Sequence, residues 1–176
     1  MKHYALAILL AASAIAVDAQ VKTSAQEVAT PELAQKREAL KNLIVTNYLG
    51  MKNSLVISDA KKTSAYAAGF ADALSKFKFK KLTLEEMNAS TVTRESLKSL
   101  AKHIAESASL NEQRKDMETL SAQLWTIIDK VKPENTILYQ QKCPMMGTTW
   151  VSNDKKIENP YYPKNMLTCG EVIAEK

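Results

Sequence analysis

The sequence is poor in residues that several common kinds of functional site require. Among its 176 residues there are four glycines, two cysteines and two histidines. So few glycines argue against a glycine-rich phosphate-binding loop or a collagen-like repeat, and two cysteines cannot make a disulfide-rich miniprotein. Two histidines leave little room for histidine-based zinc catalysis. The net charge of +5 is a mild basic excess, weaker than the clustered basic face of a nucleic-acid-binding protein.

The first residues have the pattern of a secretory signal peptide. A basic start at Lys2 precedes an apolar run over residues 4–17, which ends in small residues up to Ala19. The run is too short to span a bilayer and no second run follows, so no transmembrane span is expected in the mature chain. We predict that residues 1–19 are cleaved near Ala19 and that the protein is exported to the periplasm or outer envelope, where cysteines meet oxidants.

Residues 20–133 are predicted to form a bundle of four helices. Apolar residues recur at helical spacing in four segments, over about 31–57, 60–77, 93–108 and 110–131. Thr30 before Pro31 is typical of a helix start, and Pro133 would end the last helix. Residues 82–92 are expected to form a polar link. Four helices joined by short links favour an all-α, antiparallel four-helix bundle.

The composition changes after Pro133. Residues 134–172 contain three of the five prolines, both cysteines and Trp150. We expect residues 134–176 to form an irregular tail that packs on the bundle as part of the same domain. A short strand over residues 136–140 is the one regular element that this tail suggests.

Sulfur is concentrated in two segments of the tail. Met145 and Met146 closely follow Cys143. Met166 precedes Cys169 by three residues, so one helical turn would place the sulfurs of Met166 and Cys169 on the same side. Thiolates and thioethers are soft ligands, which select Cu(I) among the common metals. Three aromatic side chains in the tail would shield such a site from water: Trp150, Tyr161 and Tyr162.

The same two cysteines also suit a disulfide. Cysteine pairs of exported proteins commonly oxidise, and closing the loop between Cys143 and Cys169 would stabilise the fold by about 3.5 kcal/mol through lost chain entropy. An oxidised pair cannot donate two thiolates to a metal, so the disulfide and the metal site exclude each other at any one moment. They can still be two redox forms of one protein. Met146 and His103 are weaker ligand candidates. His103 would join the site only if the tail packs onto the third helix.

The order of motifs in the tail resembles that of a bacterial exported family, domain of unknown function 3347. The motifs are Cys143-Pro144-Met145, Trp150, Asn159-Pro160-Tyr161 and Met166-Leu167-Thr168-Cys169-Gly170-Glu171-Val172. The resemblance is strongest from about residue 104 to residue 172. Related domains are fused to periplasmic adaptor subunits of heavy-metal efflux pumps. The resemblance therefore implies metal handling, with such an adaptor as partner.

These features together predict a non-enzymatic exported protein that binds Cu(I), or another soft ion such as Ag(I). It would buffer the ion or pass it to an efflux system. Cys143 and Cys169 would be thiolate ligands, with Met145 and Met166 as thioether ligands. The first alternative is a helical structural or interaction protein of the cell envelope, stapled by a Cys143–Cys169 disulfide. The second is a thiol-redox protein, which a readily reduced, exposed disulfide would favour. No Ser-His-Asp or Cys-His constellation suggests catalysis, and nucleic acid is not an expected partner.

Overall fold

Four helices followed by three short strands make up the fold in this computed structural model, which describes residues 30–80 and 82–176. The elements are α1 (Pro31–Val56), α2 (Ala60–Lys76), α3 (Leu84–Glu106), α4 (Leu110–Val131), β1 (Tyr139–Lys142), β2 (Thr149–Ser152) and β3 (Glu171–Glu175). Each helix packs against the next, and α1 also contacts α4. The predicted signal peptide lies outside the described residues. Within the described ranges, no helix is long and apolar enough to cross a membrane.

The predicted starts of α1, α2 and α4 are confirmed, and each has a side-chain cap. In each case the side-chain oxygen of the residue before the helix accepts a backbone N–H from the first turn, and these residues are Thr30, Asp59 and Ser109. Each bond satisfies one of the N–H groups that a helix leaves without an internal partner. The end of α4 before Pro133 is also confirmed.

The prediction for α3 is wrong at its start, because the helix begins at Leu84 and not near residue 93. Thr83 and Glu86 form a capping box there. The Glu86 N–H donates to Thr83 Oγ1 at 3.2 Å, and the Thr83 N–H donates to Glu86 Oε2 at 2.9 Å. This reciprocal cap satisfies two backbone donors. The polar link expected over residues 82–92 is therefore mostly the first turns of α3.

Replacing Thr83 by alanine is expected to lower the free energy of unfolding by about 1 kcal/mol, because the first turn of α3 loses its capping oxygen. Urea denaturation measures the change. Thr126→Ala is the matched control: Thr126 is exposed on α4 and its hydroxyl donates to the Gln123 carbonyl of the same helix. Its effect should stay within about 0.5 kcal/mol, and equal losses in both variants would contradict the role of the capping box.

The C-terminal region is not the irregular tail of the prediction, because it contains a three-stranded antiparallel sheet in the order β2-β1-β3. The fold is therefore mostly helical and not all-α. In the central strand, Gln141 lies opposite Trp150 of β2 and opposite Val172 of β3. The single strand expected over residues 136–140 corresponds in part to β1, which begins at Tyr139. Strands of four and five residues are too short to show clear alternation in sequence.

Buried hydroxyl groups fix the sheet to the helices. The Val151 N–H of β2 donates to Tyr48 Oη of α1 at 2.9 Å, and Tyr48 Oη lies 2.8 Å from Ser121 Oγ of α4. Tyr161 Oη, from the loop between β2 and β3, donates to the Thr149 carbonyl at 2.7 Å and lies 3.1 Å from Ser121 Oγ. The two tyrosine hydroxyls therefore meet at Ser121 and link β2 to α1, to α4 and to the loop.

Burial raises the pKa of Tyr48 to about 12 and the pKa of Tyr161 well above its ordinary value, since a phenolate would lose its hydration there. The hydrogen bond with Ser121 offsets part of each increase. Both tyrosines therefore stabilise the fold fully below about pH 10, where an unfolded tyrosine ionises. That stabilisation is lost as the pH rises towards the native pKa.

We expect the free energy of unfolding to fall between about pH 10 and 12 by about 1 kcal/mol per pH unit for each of these two tyrosines. Denaturant titrations at a series of alkaline pH values measure the slope. Tyr48→Phe should keep only the part of the slope that Tyr161 supplies. A slope identical to that of the wild-type protein would contradict the burial of the Tyr48 hydroxyl.

Candidate functional site

The two cysteines lie side by side, although they are far apart in sequence. Cys143 Sγ and Cys169 Sγ are 2.8 Å apart, and both cysteines are free. This distance is longer than the bond of about 2.05 Å in a disulfide. It is shorter than the roughly 3.8 Å between two thiolates at one tetrahedral metal ion with metal–sulfur bonds of about 2.3 Å. A change of about 1 Å or less would therefore give either state.

A tight turn after β1 positions Cys143. The Gly147 N–H donates to the Cys143 carbonyl at 2.8 Å, and the Cys143 N–H donates to the Thr148 carbonyl at 3.0 Å. Gly147 has a φ of 73°, a conformation that glycine adopts without steric cost. The backbone N–H groups of Met145 and Met146 lie in this turn and lower the pKa of Cys143.

Hydrogen bonds make Cys143 the more acidic of the two thiols. Burial alone raises the pKa of Cys143, but bonds from Cys169, from the N–H groups of Met146 and Met145 and from the Asn159 side chain outweigh burial, so the pKa lies below its ordinary value. At Cys169, the hydrogen bond to Cys143 and then burial raise the pKa, while the Met145 N–H lowers it. The pair therefore favours a thiolate at Cys143 and a proton on Cys169.

Asn159 is a site residue whose role the sequence analysis missed. Its side chain is completely buried, and Oδ1 accepts the N–H groups of Tyr161 at 2.9 Å and Tyr162 at 3.3 Å. Its amide nitrogen donates to the Cys169 carbonyl at 3.3 Å, and its side chain lowers the pKa of Cys143. Asparagine before proline is a frequent turn signal in sequence, but the contact with both cysteine segments depends on the tertiary structure.

Trp150, predicted to shield the site, lies against the backbone next to Cys169. A Cβ atom on Gly170 would lie 2.8 Å from the Trp150 ring, so the ring packs here because this position has no side chain. Trp150 Nε1 donates to Gln141 Oε1 at 2.6 Å. The Tyr161 ring packs edge to face on Trp150 at 6.1 Å. Both rings are buried and hold the sheet and the loop together.

The methionines differ in exposure. Met145 and Met146 are 76% and 47% exposed in the turn after Cys143, whereas Met166 is half-buried. The Cys169 N–H donates to the Met166 carbonyl at 3.0 Å, so these two residues share one turn. The Met166 N–H donates at 2.8 Å to the carbonyl of Tyr162, which is itself half-buried. Met166 is thus anchored by its backbone close to Cys169.

The structure does not bring His103 to the cysteines. His103 is exposed on α3, in a cleft between α3 and α4 whose other lining residues are Glu106, Ser107, Glu112, Lys115 and Asp116. The tail packs on α4 and α1 instead, through β2. Across residues 30–80 and 82–176, no group of three or more His, Cys, Asp and Glu side chains is arranged to hold a metal ion.

Arg114 fixes the segment that contains Asn159 to the helices. Its Nε donates to the Pro160 carbonyl at 3.0 Å. Its Nη2 donates to the Leu55 carbonyl at 3.0 Å and to Ser58 Oγ at 2.8 Å. One guanidinium of α4 thus joins the end of α1 to the loop beside the cysteines.

Comparison with known proteins identifies the helical part of the chain. No curated protein and no solved structure matches the sequence significantly. The family model described as "Protein of unknown function (DUF3347)" matches residues 44–136, just over half of the chain. The match begins within α1 and ends after α4, so the cysteines and the other tail motifs lie outside it. The chain belongs to this family of proteins of unknown function, DUF3347.

Proposed function

We propose that the protein binds a soft metal ion, most simply Cu(I), through the sulfurs of Cys143 and Cys169. The observation that supports the proposal is the 2.8 Å approach of the two sulfurs, beside a turn whose N–H groups at Met145 and Met146 lower the pKa of Cys143. A metal requires deprotonated thiols, and these donors lower the cost of a thiolate at Cys143. Thiolates and thioethers are the ligands that Cu(I) prefers over hard oxygen donors.

Thioether sulfurs would complete the coordination. Met145 directly follows the turn residue Pro144 and is largely exposed, while Met166 shares a turn with Cys169. One methionine beside each cysteine gives a soft set of four sulfurs, with Met146 as a further candidate. The same set would bind Ag(I), which is also soft.

Export and delivery to a partner belong to the same proposal. Cleavage near Ala19 would release the chain into the periplasm or outer envelope. The tail motifs resemble those of domains fused to periplasmic adaptors of heavy-metal efflux pumps, so such an adaptor is the proposed recipient of the ion. Buffering and transfer of an ion require no chemical conversion, and the proposed role is not enzymatic.

A competition titration against a chromophoric Cu(I) chelator tests the proposal. The reduced protein is expected to remove one equivalent of Cu(I) from the chelator, and Cys143→Ser is expected to remove none. Thr168→Ser is the matched control, because Thr168 is exposed beside Cys169 and has no sulfur. Met145→Leu should weaken binding without abolishing it, since both thiolates remain. Unchanged affinity in Cys143→Ser would overturn the proposal.

A disulfide-stapled envelope protein is the second candidate, and the close approach of two free sulfurs, of which Cys143 is buried and Cys169 partly exposed, favours it as well. In that case, reduction of the disulfide should lower the free energy of unfolding by about 3.5 kcal/mol. The reduced protein should remove no Cu(I) from the chelator. Denaturation of the oxidised and reduced forms, beside the titration, separates the two candidates.

A further inference from the structure

We infer that a disulfide between Cys143 and Cys169 undergoes thiol–disulfide exchange in one direction: an external thiolate attacks Cys169, and Cys143 departs as the leaving thiolate. The reacting partner is a small or protein thiol, of which glutathione is the simplest example. This inference concerns the reactivity of the pair itself and is independent of whether the pair binds a metal ion.

Access to the two sulfurs favours attack at Cys169. Exchange requires that a thiolate reach one sulfur of the disulfide. Cys143 is completely buried, behind the turn that ends at Gly147. Cys169 is partly exposed, and it follows two exposed residues, Leu167 and Thr168. An external thiolate therefore reaches Cys169 without opening the fold.

Hydrogen-bond donors favour departure of Cys143. Negative charge develops on the leaving sulfur during exchange, and donors already in place stabilise it without rearrangement. The N–H groups of Met145 and Met146 and the side chain of Asn159 lower the pKa of Cys143 and so favour a thiolate there, in addition to the difference in access. Of these three groups, only the N–H of Met145 lowers the pKa of Cys169. Attack at Cys143 would place the charge on the sulfur with fewer donors.

The exchange balances in two steps. In the first, the external thiolate forms a bond to Cys169 Sγ while the Cys143–Cys169 bond breaks, and the electron pair passes to Cys143 Sγ. In the second, another thiolate attacks the external sulfur of this mixed disulfide and releases Cys169 as a thiolate. Two external thiols are oxidised to their disulfide, and the protein disulfide is reduced by two electrons. The reverse reaction, with oxidised glutathione as the oxidant, forms the protein disulfide.

Trapping of the mixed disulfide tests the inference. The metal-free protein is oxidised with oxidised glutathione, exposed briefly to reduced glutathione, quenched in acid and alkylated. Peptide mass spectrometry then locates the bound glutathione. We expect about a tenfold or larger excess on Cys169, because Cys143 is buried and the groups around it favour its departure as a thiolate. Equal labelling, an excess on Cys143, or failure of the pair to form a disulfide would overturn the inference.

Asn159→Asp tests the role of the donors separately. The aspartate oxygen can still accept the N–H groups of Tyr161 and Tyr162, but the amide donor to the Cys169 carbonyl is lost and a negative charge is placed beside Cys143. Opening of the disulfide by glutathione should slow by about tenfold, with Cys169 still the labelled residue because Cys143 is the buried member of the pair. Far-ultraviolet circular dichroism verifies that the variant is folded. An unchanged rate in the folded variant would overturn the role of the donors.

These outcomes are distinct from those of the copper titration. Exchange is measured without metal, so labelling of Cys169 supports the inference even if the reduced protein fails to compete for Cu(I). Conversely, tight Cu(I) binding with equal labelling of the two cysteines would support the proposed function. It would overturn the inference that exchange begins with attack at Cys169.

Discussion

Replacing Asn159 by leucine is expected to lower the free energy of unfolding of the reduced protein by about 3–5 kcal/mol. The leucine would leave the N–H groups of Tyr161 and Tyr162 and the carbonyl of Cys169 without their present partner. Each unsatisfied buried group costs about 1–3 kcal/mol. The loss should also loosen the Cys169 segment, because the Asn159 side chain donates to the Cys169 carbonyl. Urea denaturation measures the stability.

Asn159→Asp is the matched comparison, because it keeps an oxygen that accepts the two tyrosine N–H groups. Its cost in stability should be smaller than that of the leucine variant. It should also raise the pKa of Cys143, since a donor to the thiolate is lost and a negative charge is added beside it. The ultraviolet absorbance of the thiolate, followed against pH, measures that pKa. Equal destabilisation by leucine and aspartate would contradict the role of Asn159 as an acceptor for the turn.

Replacing Arg114 by methionine is expected to lower the free energy of unfolding by about 2–4 kcal/mol. The guanidinium donates to two backbone carbonyls and one hydroxyl, those of Pro160, Leu55 and Ser58. Methionine fills a similar volume but donates no hydrogen bond, so these partly buried acceptors lose their partner. Chemical denaturation gives the change in free energy.

The loss of Arg114 should destabilise the C-terminal region more than the rest of the fold. Hydrogen exchange of the amides around Pro160 is expected to accelerate more than exchange within α2, because Arg114 joins Pro160 to the helices. Lys115→Met is the control, since Lys115 is the exposed neighbour on the same helix. Its effect on stability should stay within about 0.5 kcal/mol. Equal effects of the two methionine variants would show that the Arg114 contacts contribute no stability.

Much of the helical structure could be predicted because its signals are local. Thr30 before Pro31 marks the start of α1, and Pro133 marks the end of α4. Each signal lies within a few residues of the apolar residues that recur at helical spacing. The start of α3 was also present in the sequence, in the capping box of Thr83 and Glu86. The polar composition of the residues that follow concealed it, since their face of the helix is largely exposed.

The small sheet could not be predicted in the same way. Residues of β1 pair with β3, which lies far along the chain, and the pairing contains a bulge between Gln140 and Gln141. Pairing of this kind depends on the tertiary structure, and strands this short carry little pattern of their own.

At the candidate site, the sequence could predict the types of residue but not their arrangement. Cys143 and Cys169 were identified from their sulfur chemistry, and their adjacency depends on the sheet and the loop. Asn159 and Arg114 acquire their roles from contacts across the fold. His103 lies in a different cleft because the tail packs on α4 and α1. Spacing in sequence carries none of this information.

X-ray absorption at the copper K-edge would show which atoms bind Cu(I) at the two cysteines. The reduced protein is loaded with one equivalent of Cu(I), and the atoms bound to copper are identified from the fine structure. We expect sulfur atoms around the copper, and we expect them to be lost in Cys143→Ser. A first shell of nitrogen or oxygen atoms, or a spectrum that is the same with and without Cys143, would contradict a copper site at the two cysteines.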